Sequence, residues 1–116
     1  MSSTATFARL LAVWNGDANI DEVDSLVTSS YRGHLGSRER DALALKDGIA
    51  AFRKRFPDVQ FNVEHQFGYG EYLATRLTAS AGGQTITGLN MSRWVGSLID
   101  EEWAVWETFT SVNVSR

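Results

Sequence analysis

The spacing of apolar residues in this chain changes once, near Val59, and this change limits the folds open to it. Before that point apolar residues recur every three or four positions, as in amphipathic helices, and beyond it they alternate with polar residues, as in strands. Helices followed by strands are typical of an α+β fold, with the helices on one side of an antiparallel sheet. The order argues against a parallel sheet of the Rossmann type.

The first half of the chain predicts three helices. The first is followed by Asn15-Gly16, a stop signal, and the third runs from about Asp41 to Arg55 and ends before Pro57. We interpret the polar, glycine-containing segment 29–41 as a connection between the second and third helices. The apolar stripes are Phe7, Leu10, Leu11 and Trp14 in the first helix, Ile20, Val23 and Val27 in the second, and Leu45, Ile49, Phe52 and Phe56 in the third.

The second half predicts a meander of four strands. They cover residues 59–67, 71–79, 84–94 and 98–109, and short glycine-containing segments separate them. These segments are Gly68-Tyr69-Gly70, Gly82-Gly83 and Gly96-Ser97.

The turns also predict which strand residues share a face, since a slip of one position would move each side chain to the other side of the sheet. With Val95 and Leu98 flanking the last turn, Asn90 lies opposite Trp103. The first face is mostly apolar with a few hydrogen-bonding groups, which is typical of a ligand pocket, and we expect the helices to cover it. It holds Phe61, Val63, His65, Leu73, Thr75, Leu77, Ile86, Gly88, Asn90, Ser92, Trp94, Ile99, Glu101, Trp103, Val105 and Glu107.

The opposite face mixes charges with exposed aromatic residues, which is typical of a protein–protein interface. We therefore expect a second subunit to cover it. Its members are Asn62, Glu64, Gln66, Tyr72, Arg76, Met91, Arg93, Glu102 and Trp106.

Length and composition exclude several classes of protein. The 116 residues are enough for one domain, 1–116, and a net charge of −3 with scattered basic residues gives no nucleic-acid footprint. The absence of cysteine excludes disulfides and thiol chemistry, and two distant histidines do not make a zinc site. The N-terminus lacks the pattern of a signal peptide, and no apolar run reaches the ~20 residues of a membrane span. We expect a cytoplasmic protein without membrane partners.

Several segments, in this order and spacing, resemble the SnoaL-like polyketide cyclase family of the NTF2-like superfamily. The segments are "YRGH" at 31–34, "FPD" at 56–58, "GYGEYLATRLT" at 68–78 and "TGLNMSRWVGSLIDEEWAVWE" at 87–107. The resemblance implies an NTF2-like cone, with N-terminal helices packed over a curved, mostly antiparallel sheet that encloses a cavity. It also implies a homodimer and no cofactor. Together with the apolar face it leads us to expect a small hydrophobic ligand as partner, and we expect no metal.

Glu107 is the first catalytic candidate. It occupies the position of the aspartate that serves the family as general acid and base, four residues after a tryptophan. On the predicted pocket face it would be desolvated among Trp103, Ile86 and Val105, which would raise its pKa toward the useful range. An ion pair, or a strand-end carboxylate that reaches water, is the alternative.

Two further side chains are candidates for stabilising an oxyanion. The Asn90 amide could bind a carbonyl or enolate oxygen, although a bond to a neighbouring strand is equally compatible with its position. His34 titrates in a useful range and, by the resemblance, lies at the cavity mouth; otherwise it is a histidine that caps a turn.

The remaining candidates would bind substrate or shape the pocket. The Tyr31 phenol could bind a substrate oxygen, while His65, between apolar neighbours, has the alternative of a core residue. Glu101 has the alternative of a structural carboxylate, and Trp14 and Trp103 are packing residues that would also line the cavity.

The resulting hypothesis is cofactor-free acid/base chemistry, an aldol-type cyclisation or an isomerisation, on a hydrophobic carbonyl compound. Glu107 would remove the proton α to the carbonyl, and Asn90 or His34 would stabilise the oxyanion. Two alternatives stay open: water addition, as in epoxide hydrolysis, and a non-catalytic binding or dimerisation module of the same fold.

Overall fold

The protein, analysed as a computed structural model, is described over residues 2–110. Three α-helices and six strands form there, and a short 3-10 turn, Ile20–Glu22, leads into the second helix. The helices are α1 (Ser3–Trp14), α2 (Val23–Leu26) and α3 (Ala42–Arg55); the strands are β1 (Val27–Leu35), β2 (Arg38–Arg40), β3 (Gln60–Tyr69), β4 (Tyr72–Ala81), β5 (Gln84–Val95) and β6 (Leu98–Trp106).

Polar caps set the limits of the two long helices. The Ala5 amide donates to Ser2 Oγ (3.2 Å) at the start of α1, and the Ala44 amide donates to Asp41 Oδ1 (2.9 Å) at the start of α3. After α1, the Asn15 side chain exchanges two hydrogen bonds with the backbone of Phe61 and thereby fixes the helix to β3. The predicted positions of the first and third helices are confirmed.

The helices pack on one face of a six-stranded, curved and unclosed sheet, as the α+β pattern predicts. The strand order is β2-β1-β6-β5-β4-β3, and all neighbours are antiparallel except β1 and β6. The interpretation of segment 29–41 as a mere connection is wrong, because residues 27–35 and 38–40 are strands. β1 pairs with β2 across the short turn Gly36-Ser37 and, on its other side, with the last strand, β6, to which no nearby turn connects it.

Two of the three predicted turns are confirmed, and they place Ala81 opposite Gln84 and Val95 opposite Leu98. The prediction for the turn between β3 and β4 is wrong: Tyr69 pairs with Tyr72 around Gly70, whose φ is +60°. Glycine takes this left-handed conformation without steric cost, which favours the tighter turn.

A β-bulge between β5 and β6 overturns the predicted face of the last strand. The register shifts at Arg93 and Trp94, so Asn90 lies opposite Ala104 and not Trp103. An extra residue of this kind exchanges the two faces of a strand beyond it. Glu101, Trp103 and Val105 are therefore on the face away from the helices, and the residues predicted there, Glu102 and Trp106, lie under them.

A second bulge, between Val63 and His65 in β3, moves His65 out of the predicted pocket face. His65 pairs with Arg76 on the side of the sheet away from the helices, and Gln66 instead reaches Thr75 on the helix side (Nε2–Oγ1 3.0 Å). Below, "helix face" denotes the side with Leu77, Asn90 and Glu102, and "open face" the side with Arg76, Met91 and Trp103.

Two groups of buried apolar residues connect the helices to the helix face. One joins α1, α2 and the middle of α3 to β1, β4 and the turn end of β5 and β6, and the other lies where β3 and β4 meet the end of α3. Among the described residues, no helix is long and apolar enough to span a membrane.

Candidate functional site

A pocket of about 840 Å³ lies between the helix face and helices α1 and α3. Most of its wall is apolar, and polar side chains enter from β1, β2, β5 and β6. A largely apolar pocket with a few placed polar groups is typical of a small-molecule site. The apolar wall includes Phe7, Leu10, Leu11, Trp14, Phe52, Phe56, Phe61, Leu77, Ile86 and Trp106.

Glu102 supplies a buried carboxylate to this pocket. Its exposed fraction is 7%, and it lies between Gly33 of β1 and Ser92 of β5 in the sheet. The Tyr31 hydroxyl donates to Glu102 Oε2 (2.5 Å), and Asn90 Nδ2 donates to Oε1 (2.9 Å). Each carboxylate oxygen thus has one donor, which fixes the orientation of the group and leaves further lone pairs to accept a proton.

Tyr31 holds the Glu102 carboxylate in place from its buried side. The tyrosine is 1% exposed, and a Cβ at position 33 would overlap its hydroxyl, so Gly33 makes room for it. Burial, followed by the charge of the nearby Glu102 carboxylate that accepts its hydrogen bond, raises the pKa of Tyr31 far above its ordinary value. Tyr31 therefore stays a neutral donor throughout the physiological range.

Two polar atoms beside this cluster are buried and have no hydrogen-bonding partner among the described residues: Asn90 Oδ1 and Arg40 Nε. Both side chains line the pocket, and the Arg40 guanidinium lies 5.8 Å from the centroid of the Trp14 ring. An unmade buried hydrogen bond costs free energy, so a polar ligand that bonds to both atoms would be stabilised.

Glu107 lies at the mouth of the pocket and is exposed. The prediction that its carboxylate is desolvated among apolar side chains is therefore wrong. Its Oε1 accepts the Thr87 amide (2.7 Å), and its own amide donates to Thr87 O (3.0 Å). These bonds continue the β5–β6 pairing by one residue. The catalytic role of Glu107 stays a prediction, but its surroundings are those of a strand-end carboxylate.

His34 and Glu101 form a separate cluster on the open face. His34 Nε2 lies 2.7 Å from Glu101 Oε2, and the imidazole stacks on Trp103 with ring centroids 5.6 Å apart. The His34 contact, followed by Arg93, lowers the pKa of Glu101. His34, His65 and Trp103 border a groove of about 470 Å³ on the open face.

The structure thus divides the predicted site residues between the two faces of the sheet. Asn90 and Trp14 line the pocket under the helices, and Tyr31 is buried next to it, in contact with Glu102. His34, His65, Glu101 and Trp103 lie on the open face, although His34 also borders the pocket. Within residues 2–110, no group of three or more histidine or carboxylate side chains is arranged to hold a metal ion.

Sequence reasoning missed two pocket residues, Glu102 and Arg40. Glu102 follows Asp100 and Glu101, and this run of carboxylates fits a strand in either register. Arg40 lies in the segment that we interpreted as a connection, although the alternation of Arg38 and Arg40 around Glu39 is a weak strand signal that could have pointed to β2.

A model of the SnoaL-like polyketide cyclase family matches residues 5–112 of this chain. No functionally curated protein matches significantly. Among solved structures, the chain is similar to wild-type IdmH from Streptomyces antibioticus, a proposed polyketide cyclase, with 22% identity and a TM-score of 0.80 over 92% of this chain and 93% of that one.

Two other solved structures show the breadth of the fold. A proposed polyketide cyclase from Acidithiobacillus ferrooxidans is 18% identical, with a TM-score of 0.78 over 90% of this chain and 87% of that one. A proposed isomerase of the SnoaL-like family from Agrobacterium tumefaciens is 17% identical, with a TM-score of 0.77 over 90% and 97%. At these identities the likeness shows the shared NTF2-like fold, and the reaction must be argued from the site.

Proposed function

Because this chain belongs to the SnoaL-like polyketide cyclase family, we propose that it is a cofactor-free acid/base enzyme acting on a hydrophobic carbonyl compound bound in the pocket. The reaction would be an aldol-type cyclisation or an isomerisation. The observation that carries the proposal is the buried Glu102 carboxylate, oriented by two donors at the wall of a largely apolar pocket.

In this mechanism Glu102 removes the proton α to the substrate carbonyl and becomes a carboxylic acid. The electron pair moves to the carbonyl oxygen, and the unpartnered Nε–H of Arg40 donates to the resulting enolate oxygen. In an isomerisation Glu102 returns the proton to another carbon. In an aldol closure the enolate carbon attacks a second carbonyl, and the proton goes to the new alkoxide.

Tyr31 and Asn90 take different parts in the proposal. Tyr31 acts through Glu102 as a positioning residue, because its hydroxyl is behind the carboxylate. Asn90 donates to Glu102 with its nitrogen and leaves Oδ1 free to accept a hydrogen bond from a substrate hydroxyl. Trp14 would form part of the apolar wall around the substrate.

The pair formed by Glu102 and Asn90 also favours a second candidate, water addition to an epoxide. The carboxylate and the free Oδ1 of Asn90 are neighbouring acceptors, and a water that donates to both would be held for attack on an epoxide carbon while Glu102 takes its proton. The attack breaks the carbon–oxygen bond of the ring, and Glu102 then returns the proton to the resulting alkoxide. The two candidates differ in the bond that is made. The first makes a carbon–hydrogen or a carbon–carbon bond after removal of an α-proton, and the second makes a carbon–oxygen bond.

A homodimer through the open face is a further part of the proposal. Large apolar side chains there are solvent-exposed in the single chain, and charges of both signs border them, which a second copy could match. The exposed apolar residues include Phe67, Tyr72, Leu89, Met91 and Val105. The cytoplasmic location expected from the sequence also remains a proposal.

Hydrogen–deuterium exchange tests the main reaction without knowledge of the natural substrate. The purified protein is incubated in D₂O with 2-tetralone, a neutral apolar ketone, and loss of the α-proton signal is followed by NMR. We expect exchange above the buffer rate, and Glu102→Gln should reduce it by roughly 10²- to 10⁴-fold because the general base is lost. Glu107→Gln, the matched control at the pocket mouth, should retain most of the activity.

The outcomes separate the candidates. Exchange that survives Glu102→Gln but is lost in Glu107→Gln would assign the base to Glu107 and refute our choice. Binding of 2-tetralone without exchange would support the non-catalytic module, and hydrolysis of styrene oxide by the wild type without ketone exchange would support water addition.

A further inference from the structure

Three arginines line the pocket, and none of them forms an ion pair with a carboxylate of residues 2–110. They are Arg38, Arg40 and Arg55. Elsewhere on the described chain, Arg9 pairs with Glu22 (2.5 Å), and Arg93 pairs with Asp100 (2.8 Å) and Glu101 (3.1 Å). Arg32, Arg53 and Arg76 also lack a carboxylate partner, but Arg32 and Arg53 donate to the backbone carbonyls of Tyr31 and Trp14, and Arg76 lies on the open face. Half of the described guanidinium groups without an ion pair therefore line the pocket.

The local backbone brings these arginines to the pocket from two elements. Arg38 and Arg40 alternate along β2 opposite Leu35 and Gly33, so both are on the helix face. Arg55 comes from the last turn of α3, where its guanidinium lies 5.3 Å from the Phe56 ring centroid. Arg40 is partly buried beside Trp14, whereas Arg38 and Arg55 are exposed and belong to the rim.

The carboxylates of the pocket do not form ion pairs with these cations. Glu102 accepts from Tyr31 and Asn90, and Glu107 accepts from the Thr87 amide. Among its charged side chains the pocket thus has three cations and two anions, although the whole chain carries a net charge of −3. An excess of positive charge in an otherwise apolar pocket attracts an anion, and guanidinium groups match a carboxylate with two parallel hydrogen bonds.

We infer that the ligand of this pocket is an apolar compound with one carboxylate, which binds to Arg38 and Arg55 at the rim. The inference rests on the proposed function for the other end of the ligand, where a carbonyl would reach Arg40 and Glu102. A single negative charge fits better than a phosphate dianion, because Glu107 shares the rim and would repel the second charge. The substrate class is therefore an oxo-carboxylic acid with an apolar body.

Equilibrium binding of two matched probes tests the inference independently of catalysis. Decanoate and 1-decanol have the same carbon chain and differ in the charge of the head group. Their dissociation constants are measured by titration calorimetry at low salt, in the wild type and in Arg38→Gln and Arg55→Gln. Lys54→Gln is the control, because it removes one positive charge from the neighbouring position on α3, outside the pocket.

We expect the wild type to bind decanoate more tightly than decanol, and each arginine variant to weaken decanoate by about tenfold, the loss typical of one charged hydrogen-bonding pair. Decanol binding, and decanoate binding in Lys54→Gln, should stay unchanged. Equal affinity for the two probes, absence of decanoate binding, or equal losses for both probes in the arginine variants would overturn the inference. Glu102→Gln leaves all three arginines in place, so this variant separates the inference from the proposed function. Loss of ketone exchange with an unchanged preference for decanoate shows that the two properties are independent. If the wild type exchanges the ketone but does not prefer decanoate, the inference fails while the proposed function stands.

Discussion

The bond between Tyr31 and Glu102 predicts how stability changes in alkaline solution. Tyr31→Phe removes the hydroxyl that donates to the buried Glu102 carboxylate. A hydrogen bond to a charged group contributes about 1.5–3 kcal/mol, so the variant should lose roughly that much free energy of unfolding at pH 8. Its fold should persist, because phenylalanine fills the same buried space.

The same bond makes this loss depend on pH. Folding raises the pKa of Tyr31, whereas in the unfolded chain the phenol ionises near pH 10. Its contribution to stability is therefore complete below pH 10 and decreases above it, by about 1.4 kcal/mol at pH 11. Phenylalanine does not titrate, so the difference between wild type and Tyr31→Phe should shrink by that amount between pH 8 and pH 11.

Urea unfolding followed by tryptophan fluorescence at pH 8, 10 and 11 measures the difference. Lysines and arginines titrate equally in both proteins, and subtraction removes their effect. Tyr72→Phe, which removes the hydroxyl of a far more exposed tyrosine, is the control. A difference for Tyr31→Phe that is equally large at pH 8 and pH 11 would refute the reasoning.

Two further predictions concern packing and assembly. Gly88→Ala should destabilise the protein by about 1–3 kcal/mol, because the added Cβ would overlap the Trp106 indole on the helix face. Thermal or urea unfolding measures this loss. Unchanged stability of the variant would show that Trp106 can move away. Leu89→Glu places a charge among the exposed apolar residues of the open face and should therefore convert the proposed dimer to a monomer. Size-exclusion chromatography coupled to light scattering measures the mass of both proteins. A wild type that is already monomeric at micromolar concentration would contradict the dimer.

The fold could be predicted because its signals are local. Apolar residues at helical spacing mark α1 and α3, and Gly82-Gly83 and Gly96-Ser97 fix two hairpins by turn chemistry alone. The first two strands have a similar turn at Gly36-Ser37, but the strands around it lack the apolar alternation that marks the others, and the pairing of β1 with β6 is non-local. Non-local pairing leaves little trace in one sequence.

The site was predicted only in part, and the reason is the two bulges. Asn90 lines the pocket as expected, because β4 and β5 pair without interruption and place it on the helix face. Beyond the bulge at Arg93, the alternation of β6 reverses, and Glu102 takes the place under the helices that Glu101 and Trp103 were expected to occupy. Large side chains on both faces of β6 hide such a reversal from a pattern of alternation.

The pairing of the first strand with the last one has a consequence for how the protein is made. Tyr31 and Glu102 are 71 positions apart, so the ribosome must deliver nearly the entire chain before the hydroxyl finds its acceptor. Contacts between such distant segments slow folding, since a long loop must close before they stabilise anything. The pocket should thus be among the last parts to form on the nascent chain, and a polypeptide that ends before β6 would lack the Glu102 carboxylate to which Tyr31 donates.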